Sequence, residues 1–535
     1  VLSLFFGVFM VCSMALGEVF GLWEKSCGCC AQKELSDYNV GKGNNIFKGL
    51  KCPIKNSVYK LNGIMKSSFF LMLIYFVSVS CSSLRTKAIV TSVEAAPLKP
   101  RLVVLTDIST WEPDDHESLI RLLVHADMFE IEGIVITTGW SMDNVNEVKQ
   151  FKDIATGVIE AYGRDLPNLA KRSNQNGFAH DKERQQIGYW PSADYLKERT
   201  MFGSLYMGMD KVGPENISDG SNLIVQLASE DDDRPIWVCF WGGGNTLAQA
   251  IWQVEQDQGE SGLKVFLNKI RAYAITDQDR PQKSSFETSS HAWMRREFAD
   301  DLLFIWDDCA WKYQNGTGKN KWADYEEHIQ NHGSLGSQYP KYVWGVEGDT
   351  PSFLHIMPNG LNDPDQPTQV SWGGYSQWGK GEDDNGYSYV NFTGDESEIC
   401  RRYGDHFYAA TFNNFAARMD WVQNGVGNRN PIVVIDGDGR LGSITIKPQV
   451  GSSVELDASA SYDPDGDSLS YHWWVQPEAG TFTGKINILN SNAKNAILQV
   501  PPDAGGESFH IICEVTDSGM HNLSSYRRVI CEPKK

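Results

Sequence analysis

The chain is predicted to be an α/β protein built on a mostly parallel sheet with helices on both faces, followed by a small all-β sandwich of Ig-like type. Three observations predict it. From Arg101 onward, short apolar runs alternate with helical stretches, and strands that lack a polar face belong to a sheet covered on both sides. From Pro431 onward, the pattern becomes short runs separated by turn residues, as in a sandwich of roughly 100 residues. Finally, 535 residues with 41% hydrophobic and 22% charged side chains describe a globular chain of two to four domains at about 150 residues each.

The first eighty residues stand apart. Two signal-like apolar runs occur, VLSLFFGVFMVCSMALG and FFLMLIYFV, the second after Met65-Lys66. Only one can be an N-terminal address, and the second has a basic residue, an apolar stretch and small residues before Cys81 in the right order. We expect residues 1–64 to be an upstream extension outside the mature protein, 65–80 to be a signal peptide, and 81–100 to be a tether lipidated at Cys81. Ser78-Val79-Ser80-Cys81 resembles a bacterial lipobox, with Ser78 where an apolar residue is usual. The expected location is the outer membrane or cell surface, or the medium if the leader is simply cleaved. Of the eleven cysteines, six lie within residues 1–81. The CGCC run there lacks a partner pair at zinc-site spacing.

The α/β domain is expected over 101–423. RLVVLTD, PDDHESLIRLLVHAD and IEGIVITTG read as strand, helix, strand, with Pro113 and acidic residues at the helix start. Further strands are expected at PIWVCFW, IRAYAIT, LLFIW and KYVWGVE, a long turn-rich loop at 351–394, and a helix over 403–422. After a linker at 424–431, the sandwich is expected over 431–535, with strands in PIVVIDG, SITIKPQV, SVELDAS, SYHWWVQ, AILQV, SFHIICEVTD and YRRVICE. Trp473 and Trp474 then point to opposite faces of one strand, one into the core and one toward a partner. Cys513 and Cys531 are the only pair in that small domain, and a disulfide between them is left open.

Charge excludes one partner class. With 68 acidic against 48 basic residues, the net charge is −20, which repels a phosphate backbone and argues against nucleic-acid binding. The chain also carries 17 Trp, 20 Tyr and 24 Phe, enough to fill a core or to stack on flat-faced ligands such as sugars.

In a parallel α/β sheet, ligands bind beyond the carboxyl ends of the strands. Asp107, the Asp114-Asp115 pair, Thr137 and Thr138, Asn245, Asp277 and Asp279, and Asp349 all follow apolar runs. Singly, each also fits a helix cap or a turn. Together, converging carboxylates repel unless a hard cation holds them, and Ca2+ accepts six to eight oxygen ligands.

TD followed by DD after the first strand, GGGNTLAQA after a central strand and EGDTPSFL after a later one resemble the nucleoside hydrolase fold. They more closely resemble a nucleoside-hydrolase-like family of secreted proteins described as cellulose-binding. The resemblance runs from Arg101 to Val422, and a C-terminal sandwich accompanies it. It implies Asp107 and Asp115 as carboxylate ligands of Ca2+, Asn245 as a carbonyl ligand, Asp349 as the late ligand, and Asp114 on a sugar hydroxyl. It also implies a metal-activated water deprotonated by Asp107 and attacking an anomeric carbon through an oxocarbenium-like transition state.

Two departures bear on catalysis. Leu105 stands where the family's earlier Asp lies, with three residues inserted before the paired aspartates. Gly348 stands where many hydrolases carry the His that protonates a leaving base. Glu347, His116 and His291 are the candidate replacements. Thr138, Asp277, Asp279, Glu347, Trp111 and Trp241 are expected to line the substrate site, with Trp140, Trp372 and Trp378 as further stacking candidates.

In the C-terminal part, SSVELDASASYDPDGDSLSYHWW resembles PKD and cadherin-like modules. Its Asp463, Asp465 and Asp467 alternate in a turn, which suits either Ca2+ or solvent. The expected function is a Ca2+-dependent glycosyl hydrolase of nucleoside-hydrolase type; the alternative is a non-catalytic surface lipoprotein that binds a cellulose-like polysaccharide. The expected partners are a sugar or polysaccharide and, through the lipid anchor, a membrane; an oligomer is compatible with the sequence.

Overall fold

Strand β1 (Arg101–Thr106) is buried along its whole length, and its alternate side chains serve two different cores. Leu102 and Val104 enter one apolar cluster, and Val103 and Leu105 the other, as the two-residue period of a strand dictates. The computed structural model describes residues 97–141, 148–173, 185–383 and 386–535. The proposed extension, signal peptide and Cys81 lie outside the described residues.

β1 is followed by α1 (Asp114–Leu123), β2 (Glu130–Ile136), α2 (Val148–Arg172), α3 (Ala193–Glu198), β3 (Thr200–Phe202), α4 (Asp219–Ala228), β4 (Ile236–Phe240), α5 (Asn245–Lys269) and β5 (Ile270–Ile275). Then come α6 (Ser290–Glu297), β6 (Leu303–Asp307), α7 (Ala310–Asn320), α8 (Trp322–His328), α9 (Gly333–Gly336) and α10 (Thr350–Leu354). β7 (Gln377–Lys380), β8 (Tyr387–Val390) and the long α11 (Gly394–Asn424) complete the lobe. The eight strands run in the order β3-β2-β1-β4-β5-β6-β8-β7. All pairs are parallel except the edge pair β7–β8, so the sheet is mixed and mostly parallel.

Two expectations change here. KYVWGVE is not a strand: Val343 and Trp344 are 49% and 69% exposed, and Glu347 has φ 55°. A Cβ on Gly345 would lie 2.1 Å from Asn315 Cγ, and one on Gly348 2.6 Å from Asp114 Oδ2. The segment is thus a tightly apposed connection that carries Asp349 to the sheet. The stretch 351–394 is not all loop either. It supplies α10, β7 and β8, because YSYV alternates between more exposed and buried residues, as a strand with one covered face does.

Beyond the linker lie β9 (Ile444–Ile446), β10 (Ser453–Asp457), β11 (Leu469–Gly480), β12 (Asn487–Leu489), β13 (Asn495–Gln499), β14 (Phe509–Asp517) and β15 (Ser524–Cys531). They form a three-stranded sheet, β10-β13-β12, and a four-stranded sheet, β11-β14-β15-β9. Both contribute to one apolar cluster around Trp473, Leu498 and Ile511. PIVVIDG makes isolated bridges instead of a strand. Cys513 pairs with Arg527 and Cys531 with Phe509, four rungs apart or about 13 Å, too far for a disulfide; both thiols are free and buried.

Trp474 does not face a partner. Its ring packs on Tyr403, His406 and Phe407 of α11, joining the sheets to the α/β lobe. Trp372 sits in the same seam, 8% exposed with its Nε1 donating to Tyr526 OH at 3.3 Å. It is therefore a packing residue.

Candidate metal centre

The carboxyl end of β1 and the start of α1 bring carboxylates together because the strand ends at Thr106, and Asp107 to Pro113 form a short connection that turns the chain back into a helix. Pro113 sits at the N-cap, leaving Asp114 and Asp115 in the first turn, where the helix N-terminus favours negative charge. Asp349 caps α10 from across the site but makes no side-chain cap bond. Asp114, Asp115 and Asp349 each place a carboxylate oxygen within 4.8 Å of the others.

Around this triad the acids accumulate. Asp107 is buried and accepts the Ser141 N–H at 2.7 Å through Oδ2, while Ser141 Oγ donates to Glu112 at 3.0 Å. Thr106 Oγ1 donates to Asp115. Among the described residues no ion pair reaches any of these five acids. Burial pushes Asp107 up to about 7. Burial, then repulsion from Glu112 and Asp107, pushes Asp114 up to about 8. Asp115 and Asp349 stand well above the carboxylate range for the same reasons, burial first. Asp349 Oδ2 is buried and has no hydrogen-bond partner. An orphaned carboxylate oxygen beside two further carboxylates suits a hard divalent cation, whose ligands are oxygens.

The sign of the pH dependence follows. These carboxyls bind protons more tightly folded than unfolded, where Asp titrates near about 4. The metal-free protein is therefore favoured at low pH and loses stability as pH rises from about 4 through about 8. A cation that replaces the protons recovers it. Ca2+ at 100 times its Kd adds about 2.7 kcal/mol, and its effect on Tm, read by differential scanning fluorimetry, is expected to be larger at pH 8 than at pH 5. An equal shift at both pH values would contradict metal binding at these acids.

The other expected residues divide. Thr138 is buried beside Asp107: its carbonyl accepts the Gly243 N–H at 2.7 Å, and a Cβ on Gly242 would lie 2.6 Å from the same oxygen and 2.9 Å from Asp107 Oδ1. The GGG turn is thus glycine so that it can approach this wall. Asn245 opens α5, donates through Nδ2 to the Tyr206 carbonyl, and leaves Oδ1 buried without a partner.

Asp279 is committed to the scaffold instead, whereas Asp277 keeps Oδ2 buried without a hydrogen-bond partner, 3.6 Å from Arg280 Nε. Asp279 accepts the N–H groups of Gly208 and Ser290 at 3.0 and 2.9 Å; burial pushes it up to about 7. Asp277 accepts Ser289 Oγ at 2.8 Å. Trp241 is fully buried and donates to Ser352 Oγ at 2.8 Å, so it packs under the site and offers no stacking face. Glu347 is fully buried in an ion pair with Arg121 and a hydrogen bond from Tyr339, turned to the scaffold.

His291 Nε2 accepts the Gly244 N–H at 2.9 Å, and burial lowers this imidazole to about 4. His116 is lowered to about 4 by burial as well. Trp111 remains 40% exposed, as does Tyr206 at 49%; Trp140 is half-buried and donates to the Arg280 carbonyl, and Trp378 is exposed on the edge strand β7. Sequence reasoning missed Thr106, Glu112, Ser141 and Tyr206. Glu112 had a signal, since it falls inside the insertion before the paired aspartates; Ser141 and Tyr206 had none, being brought in by tertiary contact.

Residues 101–375 match the family described as cellulose-binding Sde182, nucleoside hydrolase-like domain. The chain belongs to this family. Residues 453–533 match the Sde0182 C-terminal domain described beside it. Among solved structures, the chain is similar to a nucleoside hydrolase-related protein of Saccharophagus degradans described as associated with carbohydrate metabolism. Identity is 34% over 82% of this chain and 100% of that one, with a TM-score of 0.69. Slighter likenesses are to the PKD domain of the KIAA 1837 protein (19% identity, 17% and 82% of the two chains, TM-score 0.14). Another is to the type III effector XopQ (10% identity, 61% and 95%, TM-score 0.28). No curated protein matches the chain. Sde182 family membership agrees with the oxygen-rich site at the sheet's carboxyl end.

Proposed function

We propose that this chain is an exported carbohydrate-binding protein that holds its sugar at a divalent cation site formed by Asp114, Asp115 and Asp349, and that it does not cleave it. The observation that carries this reading is the commitment of the candidate proton donors. Glu347 is locked to Arg121, and His291 spends Nε2 on the Gly244 N–H. Burial keeps His116 neutral, so none of the three candidate replacements for the family's leaving-group acid is poised to donate a proton. The family description, cellulose-binding, supports a β-glucan as the ligand class.

The donor set supports Ca2+, which when bound supplies positive charge for sugar hydroxyl oxygens. Asp107 and Glu112, fixed through Ser141, accept sugar O–H groups around it, and Trp111 and Tyr206 offer exposed faces to a pyranose ring. Asn245 and Thr138 shape the wall behind. A lipid anchor at Cys81 and Ig-like closure of the two C-terminal sheets complete the proposal for a surface lipoprotein.

Hydrolysis is the second reading, and one observation favours it: an Asp107 carboxyl pushed up to about 7 has the basicity a general base needs at neutral pH. Incubation with a panel of nucleosides and aryl glycosides in the presence of Ca2+ separates the two; the proposal expects no product, and turnover of any member overturns it. For binding, Trp111→Ala is expected to weaken affinity for a soluble cello-oligosaccharide about tenfold without changing Ca2+ affinity, both read by calorimetry.

A further inference from the structure

Five free cysteines lie among the described residues, and two of them, far apart in the chain, meet on the helix-covered side of the sheet. Cys309 follows β6 as the N-cap of α7, and Cys400 lies in the second turn of α11. Asn391, just past β8, bridges them: its Oδ1 accepts the Cys309 N–H at 3.1 Å, and its Nδ2 donates to Cys400 Sγ at 3.7 Å. Cys309 Sγ also donates to the Ser397 carbonyl at 3.4 Å, one turn before Cys400 in the same helix. A Cβ on Gly374 would lie 3.0 Å from Ala310 Cβ and 3.1 Å from Cys400 Sγ, so the first residue of α7 packs beside the second thiol as well. The two thiols hydrogen-bond to each other.

The pair is not symmetric. Cys309 is 6% exposed and lines a cleft of about 240 Å3 with Lys312, Tyr313, Phe392 and Arg401, whereas Cys400 lies behind it at 1%. The bond from Cys400 comes first among the causes that hold the Cys309 thiol below its ordinary range; burial and the Asp307 charge oppose it, and the Arg401 guanidinium adds to it. The same bond, and then burial, holds Cys400 well above that range. An accessible thiol that ionises readily, with a second thiol in contact behind it, has the arrangement of an attacking and a resolving cysteine. Cys513 and Cys531, four rungs apart, have no such contact.

We propose that Cys309 and Cys400 form a thiol–disulfide exchange site that takes a low-molecular-weight disulfide as its oxidant and closes to a disulfide between the start of α7 and α11. The Cys309 thiolate attacks one sulfur of the oxidant and expels the other as a thiolate, leaving a mixed disulfide. Cys400 then loses its proton and attacks Cys309 Sγ, expelling the second thiolate. The two protons pass to the expelled thiolates, so two protein thiols are oxidised to one disulfide and the oxidant is reduced to two thiols. The exported location proposed above is where such oxidants occur, although the chemistry of the pair does not depend on it. The bond also fastens α11 at the turn that precedes Tyr403 and Phe407, the residues on which Trp474 of the C-terminal strands packs.

The test is incubation of the folded full chain with glutathione disulfide, followed by alkylation of the remaining thiols, digestion and mass spectrometry. Cys309 and Cys400 are expected to lose alkylation together and to appear in one linked pair of peptides, which dithiothreitol separates. Cys400→Ser is expected to stop at a glutathione adduct on Cys309, and Cys309→Ser to give neither a link nor an adduct on Cys400. If either variant fails to fold by far-UV circular dichroism, the digest of the parent chain decides alone. Full alkylation of both residues after oxidation, or linkage of either to a different cysteine, would overturn the proposal; an adduct on Cys400 in folded Cys309→Ser would overturn the order of attack. Neither thiol touches the acids of the metal centre, so failure here says nothing against the carbohydrate reading.

Discussion

Asp349→Asn is expected to weaken Ca2+ binding at the candidate metal centre by on the order of 100-fold, since even groups that only orient a metal ligand contribute 10–100-fold. The same substitution is expected to stabilise the metal-free protein above about pH 7. Both effects have one cause. Asp349 is buried, its Oδ2 has no partner, and Asp115, Asp114 and Asp107 repel its charge. The neutral amide removes that repulsion and the ligand together. Helix α10 loses no cap bond, because Asp349 makes none. Calorimetry with Ca2+ and chemical denaturation in EDTA read the two effects. A variant that is less stable without metal and binds Ca2+ as the parent does would make Asp349 an ordinary structural residue.

Arg121→Met is expected to destabilise the fold by about 3–5 kcal/mol, the cost of leaving a buried charge without its partner. Arg121 of α1 is 1% exposed and meets Glu347, which is fully buried; its Nη2 also donates to the Thr411 carbonyl in α11 at 2.7 Å. Pairing the change with Glu347→Gln is expected to recover most of the loss, because the remaining groups are neutral and Tyr339 still bonds the amide oxygen. Urea unfolding of the two variants measures this. If the double variant is no more stable than the single one, Glu347 is not held there by charge. The pair matters to function because Glu347 lies two residues before Asp349, so the same ion pair that removes an acid from the mouth fixes the segment that delivers the late carboxylate.

Much of this was legible in the sequence, for identifiable reasons. The strands β1, β2, β4, β5 and β6 announced themselves as apolar runs because both faces of the sheet are covered. The acids at their ends were legible because a polar residue directly after such a run has few places to go except the sheet's rim. What the sequence hid depends on tertiary direction. Trp241 and Trp111 are the same residue type at two strand exits, yet one turns under the sheet to Ser352 and the other stays 40% exposed. Asp279 and Asp115 both follow strands, but two backbone N–H groups claim Asp279. KYVWGVE has a strand's composition and lacks one, because Gly345 and Gly348 must pass against Asn315 and Asp114. The sequence leaves one of Trp473 and Trp474 for a partner, and it does not show that α11 covers Trp474.

The central claim, a cation-dependent sugar site without turnover, is tested most directly by calorimetric titration of a soluble cello-oligosaccharide into the full chain in Ca2+ and again in EDTA, with the sugar recovered and sized afterwards. The account predicts saturable binding in Ca2+, loss of binding in EDTA, and intact oligosaccharide after incubation. Equal binding in EDTA, or recovery of shortened sugars, would contradict it.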